Sequence, residues 1–376
     1  MIYLDHAATT PISENAVNTW IKANDSFFAN TSSLHEPGEV ANQLLTTCQR
    51  QLATLLDCQS DEIYFTSGGT ESNHLALESL YLANKHKGNH VITSSIEHPS
   101  VHSFFHQLEE KGVEVTYLPV DHHGLIDIEE VKKATRNDTF LASIQHVNAE
   151  IGTIQPLAQL GDWFKERAII FHSDCVQSFG KIPINTPAFS VDAISISSHK
   201  IYGPKGVGAV FLSNKVNWSK IRPLTSHQQG FRPGTLNIPG IASFTQASVD
   251  IHEQLEDRRI QAWSLREGFI SAIAPLGDKL RIEGHPLKSN QLPWIIGISI
   301  KGIQGQYMML SLDRHNICIS TGSACQSEEF DASSAMNSIY LSEQDRLRFF
   351  RISFGKHTTK QDLSLTATKI LEISKE

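Results

Sequence analysis

Cysteine is scarce in this chain of 376 residues: five in all, Cys48, Cys58, Cys175, Cys318 and Cys325, odd in number and without a CxxC pair. That pattern argues against a disulfide framework and against a structural zinc site. Positive charge is also in deficit, with 32 Lys and Arg against 40 Asp and Glu for a net charge of -8. The clustered basic surface that nucleic acid demands is therefore not expected. No apolar run approaches the ~18–20 residues of a membrane span. The opening "MIYLDHAATT" has neither the basic nor the apolar region of a secretory leader. A Walker loop, a GxGxxG turn, internal repeats and low-complexity tracts are missing too. What remains is 40% hydrophobic and 19% charged, the profile of a soluble globular protein with a sizeable core. A bacterial-type cytoplasmic enzyme, with no nucleic acid and no membrane as partner, fits these bounds.

Short apolar runs alternate with longer amphipathic ones through most of the chain. "EVANQLLTTCQRQLATLL" (39–56) has apolar residues three and four apart and predicts a helix. "EIYFTSGGTESNHLALESLYLAN" predicts a strand, a glycine turn and a helix. "HVITSSIEHPSV", "EVTYLPVD", "TFLASIQHVN", "AIIFHSDCVQ", "VDAISISSHK" and "GAVFLS" predict further strands, most of them separated by helical spacers. That order favours a largely parallel sheet covered on both faces, with ligands beyond the carboxyl ends of its strands. After about residue 250 the pattern changes to one long helix, "IHEQLEDRRIQAWSLREGFISAIA", followed by a smaller α+β unit. The boundary is placed near 252: a large domain over 13–252, and a small one from 1–12 and 253–376.

Three polar clusters fall at predicted strand ends. In "FTSGGTESNHLAL" (65–77), Gly68 and Gly69 turn the chain into a helix that begins near Thr70. Its first N–H groups, with nearby hydroxyls, make a phosphate cup, or else the segment is an ordinary capped helix. In "HSDCVQSFGK" (172–181), Asp174 ends an apolar strand three residues before Gln177. It either pairs with a cation or caps a helix. Lys200, in "SISSHKIYGPKGVG" (195–208), follows 26 residues later, one strand further on. A buried lysine is an amine nucleophile toward carbonyls, whereas a surface lysine snorkels. Together, a phosphate cup, an anion for a ring nitrogen and a Schiff-base lysine are what pyridoxal 5'-phosphate (PLP) requires. His98 of "IEHPSV" is a candidate ring to stack on that cofactor.

Two further candidates lie in the last sixty residues. Cys325, in "CISTGSACQSEEF" (318–330), stands among small polar residues before a long polar segment. A loop of that length is either functional or poorly ordered, and its cysteine is either a nucleophile that reaches a reaction centre or a chance occurrence. Arg351 of "RISFG" ends an apolar strand, suited to a bidentate grip on a carboxylate or to a structural ion pair. Cys318 is expected in the core.

The motifs "YLDHAATTP", "NTSSLH", "TSGGTESN", "EHPSV", "HVNAEIG", "HSDCVQ", "SSHKIYGPKGVG", "RPGTLN", "STGSAC" and "RISFGKHTT" resemble, in order and over nearly the whole chain, the cysteine desulfurases of the NifS/IscS type, in a bacterial NifS-like branch. The resemblance implies a class V, aspartate-aminotransferase-like (type I) PLP fold: an α/β large domain with a mostly parallel sheet and a smaller α+β domain. It also implies a homodimer, and conversion of L-cysteine to L-alanine with the sulfur kept as a persulfide. Carried over by motif, Lys200 binds the cofactor covalently, and His98 stacks on the ring and is placed to shuttle protons. Asp174 pairs with the pyridine nitrogen and Gln177 with the phenolic oxygen. Gly69, Thr70, Ser197 and His199 hold the phosphate, with Thr235 coming from the other subunit. Asn148 and Arg351 receive the substrate carboxylate, and Cys325 is the thiolate that attacks the substrate sulfur.

The implied partners are a sulfur acceptor or an iron–sulfur scaffold protein, and no metal site is expected beyond a transient iron–sulfur contact through Cys325. Family members often have Pro where Thr31 stands and Asn where Ala149 stands. Those that dock a scaffold through a C-terminal extension carry more sequence after the segment matching "ILEISKE". Rival expectations are a selenocysteine lyase, another type I PLP enzyme, or a PLP-binding sulfur carrier without catalysis. The thiol in "STGSAC" argues against an aminotransferase. The coexistence of Lys200, Asp174, His98, Cys325 and Arg351 argues against a mere carrier, which needs only a surface.

Overall fold

The computed structural model describes residues 1–375 except 223, 225, 322–333 and 341. Its strands are β1 (Ile2–Tyr3), β2 (Ile63–Thr66), β3 (His90–Ser94), β4 (Glu114–Leu118), β5 (Thr139–Ser143), β6 (Ile170–Asp174), β7 (Ala193–Ser197), β8 (Gly208–Leu212), β9 (Leu280–Glu283), β10 (Ile295–Ile300), β11 (Ile317–Cys318) and β12 (Phe349–Ser353). The helices that cover the sheets or position the site are α1 (Glu14–Ser26), α2 (Glu36–Leu56), α3 (Gly69–Asn84), α4 (Pro99–Glu110), α5 (Ile238–Glu253), α6 (Leu255–Ile273) and α7 (Lys360–Ile373).

Seven strands form one sheet in the order β2-β8-β7-β6-β5-β3-β4. The run from β7 to β4 is parallel, while β8 is antiparallel to both its neighbours. The central strands are buried along their whole length, as a sheet covered on both faces requires. One face packs Phe171, Ile194, Ile196 and Phe211 into a core with Leu45, Leu52 and Leu56 of α2. The other packs Val91, Leu141, Ile170 and Val210 against Leu77 and Leu80 of α3 and Phe105 and Leu108 of α4. Ser143, Ser173 and Ser195 within these strands are satisfied internally. The ring of His172 lies between Ser143 Oγ (2.8 Å) and Ser195 Oγ (2.9 Å), and burial pushes its pKa down to about 3, leaving it neutral.

A second core surrounds the antiparallel sheet β12-β10-β9 and includes Phe269 of α6 and Leu363 and Ile370 of α7. Leu4 and Ala7 belong to this core, because β1 pairs with β11 and Asp5 bridges to Ser353. Two local expectations change. The periodic stretch 251–274 is two helices, broken at Gln254 (φ -113°, ψ 13°), since an apolar period does not register a single non-helical residue. "IEHPSV" does not extend β3: His98 caps α4 and Pro99 starts it, where the missing N–H costs nothing. Among the described residues no helix is long and apolar enough to cross a membrane.

Candidate active site

A cavity of about 590 Å³ opens beyond the carboxyl ends of β3, β5, β6 and β7, where the parallel topology leads ligands to be sought. Gly69, Thr70, His98, Asn148, Asp174, Gln177, Ser197, His199, Lys200 and Arg351 all line it. Thr235 does not: it is exposed on the segment before α5. Cys325 lies outside the described residues.

The turn from β2 into α3 needs its glycines for two different reasons. Gly68 has φ 150° and ψ -176°, which side chains rarely adopt, and a Cβ on Gly69 would lie 2.9 Å from Val176. No side chain caps α3, so its first N–H groups have no such partner. Beside them the hydroxyl of Ser197 is buried without a hydrogen-bond partner among the described residues. The third wall is His199, whose Nδ1 lies 3.0 Å from Thr9 Oγ1. Burial first, then the charges of Lys200, Lys205 and Lys181, push this imidazole down to about 4. A neutral donor ring, an uncapped helix start and an orphaned hydroxyl suit a phosphate.

Asp174 ends β6 and is nearly buried. Its Oδ1 accepts from the Val176 N–H (2.9 Å) and its Oδ2 from Asn73 Nδ2 (2.8 Å). The same Asn73 amide donates to Ser100 Oγ (3.0 Å), tying α3 to the start of α4. There His98 Nδ1 accepts from the Ser100 N–H (3.2 Å), which assigns the ring proton to Nε2. Burial lowers the His98 pKa, Lys200 adds to that, and Asp174 opposes it. Glu97 next to it is fully buried, accepts from Ser94 Oγ and the Gln145 N–H, and is pushed by burial up to about 8.

Lys200 closes a short 3₁₀ turn, Ser198–Lys200, directly after β7. The segment 5–10 wraps this turn. Lys200 Nζ donates to the carbonyls of Ala7 (2.6 Å) and Ala8 (2.7 Å), and the Thr10 N–H donates to His199 O (2.9 Å). Gln177 Nε2 donates to the Ala7 carbonyl as well (2.9 Å). A Cβ on Gly203 would meet Ser198 Oγ at 2.1 Å, so the glycine after the lysine turn is required by close approach.

On the opposite wall Arg351 Nη1 donates to the Ala149 carbonyl (2.8 Å) and Nη2 to Asp5 Oδ1 (2.7 Å). Its Nε is buried without a partner among the described residues. Asn148 spends its Oδ1 on the N–H groups of Glu150 and Ile151 and donates from Nδ2 to Ile96 O (3.2 Å). One Nδ2 hydrogen remains for another acceptor. Sequence reasoning missed Asn73, Asp5, Ala7 and Ala8. Asn73 has the appearance of a helix-interior polar residue, and the alanines act through backbone carbonyls that carry no side-chain signal.

The family model of the aminotransferases of class V matches residues 2–365. The chain belongs to this family. Within it the chain is 44% identical over 363 residues to the NifS protein of Bacillus subtilis (strain 168), covering 96% of this chain and 92% of that one. It is 39% identical over 369 residues to the cysteine desulfurase IscS of Dictyoglomus turgidum, covering 97% and 92%. The solved structure of SspA in complex with cysteine superposes with a TM-score of 0.80 at 29% identity, covering 96% of this chain and 100% of that one. The fold is thus the type I fold of the PLP-dependent class V family, in its NifS/IscS branch.

Proposed function

We propose that the protein is a PLP-dependent cysteine desulfurase, converting L-cysteine to L-alanine and passing the sulfur on as a persulfide of Cys325. The observation that carries this reading is the grouping of Lys200, Asp174, His98 and Arg351 around one cavity, in a chain whose relatives include enzymes named as cysteine desulfurases. When bound, the cofactor supplies the electron sink for bond breaking at the substrate Cα and Cβ.

The protein's residues do the rest. The first N–H groups of α3 with Ser197, His199 and Thr70 hold the phosphate, joined by Thr235 of the partner subunit. Asp174, oriented by Asn73, would keep the cofactor's ring nitrogen protonated, and Gln177 would offer an N–H to its phenolic oxygen. Arg351 and Asn148 bind the substrate carboxylate and thereby aim the Cα–H bond toward Lys200. The Lys200 amine takes that proton. His98, with its ring proton on Nε2, would stack on the cofactor ring and serve to move protons. Cys325 then attacks the substrate sulfur as a thiolate: an S–S bond forms, the Cβ–S bond breaks with its electron pair left toward carbon, and Cβ is protonated. Alanine leaves, and an acceptor thiol or an iron–sulfur scaffold takes the terminal sulfur.

In this reading the chain acts as a homodimer. Residues 13–252 form the cofactor domain, and residues 1–12 with 253–376 form the domain that brings Arg351 and Cys325. Borohydride reduction of the purified protein followed by peptide mapping tests it. Label on Lys200 is expected, and label on another lysine refutes the assignment. Alanine and sulfide assays with cysteine and selenocysteine separate the desulfurase from a selenocysteine lyase.

A further inference from the structure

Behind the cofactor cavity lies a second, small cavity, where Lys181 and Lys200 face the same space together with His6, Thr10 and Arg258. Lys181 follows the turn after β6 and donates from Nζ to Gln177 Oε1 at 2.9 Å. Gln177 in turn donates from Nε2 to the Ala7 carbonyl at 2.9 Å, the carbonyl that also accepts from Lys200 Nζ at 2.6 Å. Two lysines are therefore joined through one carboxamide and one backbone oxygen, and nothing in the function proposed above uses the second of them.

We propose that Lys181 is a positioning residue that locks the Gln177 carboxamide with its NH₂ turned toward the cofactor cavity and stands as a second ammonium beside Lys200. The inference rests on the reading of that cavity as a PLP site. In its charged form Lys181 has three N–H groups and no lone pair, so it can meet only the oxygen of an amide. With Oε1 held by Lys181, the two hydrogens of Nε2 are left for the Ala7 carbonyl and for the cavity. A flipped amide would set two donors against each other and present an acceptor to the cofactor.

The cost of keeping a lysine there is visible in its proton affinity. Burial, then Lys200 and Arg351, push Lys181 down to about 7. The remaining charges around Lys200 come from every neighbouring element. Asp174 at the end of β6 is the anion on the cavity side, and Arg351 on β12 is neutralised by Asp5. Arg258 of α6 lies over the Tyr202 ring, 5.3 Å from its centroid. His98, His199 and His6 are driven toward the neutral form, each chiefly by burial. Among the cations of this group Lys181 is the one brought near neutrality, while Glu97, which lines the cofactor cavity, is pushed by burial up to about 8.

A donor amide and a nearby cation both favour the proton-poor form of the bound cofactor, so removing them shifts the pH titration of its visible absorption band upward. The experiment titrates that band in purified holoenzyme for the parent, Lys181→Met and Lys181→Arg. The midpoint of Lys181→Met is expected to rise by on the order of one pH unit, a tenfold change in proton affinity. Lys181→Arg, which keeps charge and donor, should stay near the parent. A purely structural role would lower stability in both variants and leave the midpoint in place, and that outcome overturns the proposal. Should Lys181→Met not fold, Lys181→Gln keeps an amide donor without the charge, and an unmoved midpoint there is equally fatal. A parent protein with no visible band sinks the functional reading itself, whereas a band that titrates identically in all variants sinks only Lys181.

Discussion

On the cofactor side of the cavity, Asp174, Ser197 and Lys200 stand at or just beyond the ends of adjacent strands of one sheet. On the substrate side Arg351 is held by Asp5 and the Ala149 carbonyl, three stretches far apart in the chain. The first side is fixed by strand pairing: the register Asp174↔Ser195 sets where the carboxylate stands relative to the lysine strand. The second exists only where the segment after β1, the turn after β5 and strand β12 meet. In the proposed desulfurase, strand ends would hold the groups whose position must not vary during turnover, and a junction of remote segments would hold Arg351 against the substrate carboxylate.

The largest effects should come from breaking the chemistry on the cofactor side while the rest stays intact. Lys200→Ala should cut alanine formation on the order of 10²–10⁴-fold through loss of the proton carrier, with the covalent cofactor link gone. Cys325→Ala should also lose alanine formation by orders of magnitude, yet keep the visible band and its change on adding L-cysteine. Absorbance spectra and alanine assays without reductant check both, and parent-level alanine from Cys325→Ala would leave the thiol without a role.

Next in size are changes on the substrate side. Arg351→Ala should raise KM by about 10–100-fold, as expected for the loss of a charge-assisted contact of ~1.5–3 kcal/mol. Asp5→Asn keeps an acceptor but not the charge, and should raise KM by only about 2–10-fold with kcat little changed. Steady-state kinetics decide, and an Asp5→Asn defect confined to kcat would place Asp5 with the other side.

The smallest effect concerns Glu97, which borders the cofactor side. Its carboxyl titrates at about 8 when folded, against 4.5 for the ordinary group. Between those values the folded state holds a proton that the unfolded state has released, so stability falls as pH rises through this window. Glu97→Gln removes that dependence. The melting temperature of the variant relative to the parent should climb by about 2–6 °C from pH 5 to pH 8.5. A constant difference across the window would show that the carboxyl is already ionised in the fold.

That Gly69, Asp174 and Lys200 gather at strand ends around one cavity was legible in the sequence, because strand ends, a Gly-Gly turn and an apolar run before Asp174 or Lys200 are local signals. Arg351 was legible as a candidate carboxylate binder, but it stands in the middle of β12 and not at a strand end as expected, and its partner Asp5 was not legible, since an ion pair across 346 positions leaves no local trace. Asn73 escaped for another reason. Its place in α3 has no period of its own, and its bonds to Asp174 and Ser100 depend on how α3 and α4 pack. Lys181 has the look of a polar residue after a turn, and only the depth of the second cavity distinguishes it from a solvated one. Similarly, the break at Gln254 depends on one backbone conformation, which apolar spacing cannot register.

The pairing of Ile2 with Ile317 and of Asp5 with Ser353 also dictates an order of events during synthesis. The seven-stranded sheet is complete once residue 212 has left the ribosome, so Asp174 and Lys200 can reach their places early. Segment 2–10, although made first, gains its strand partners only when β11 and β12 emerge, and those long-range contacts are the slow ones to form. Its Ala7 and Ala8 carbonyls are the acceptors for Lys200 Nζ. Until those strands arrive, the Lys200 side chain of the nascent chain lacks the two backbone acceptors that hold it in the folded protein.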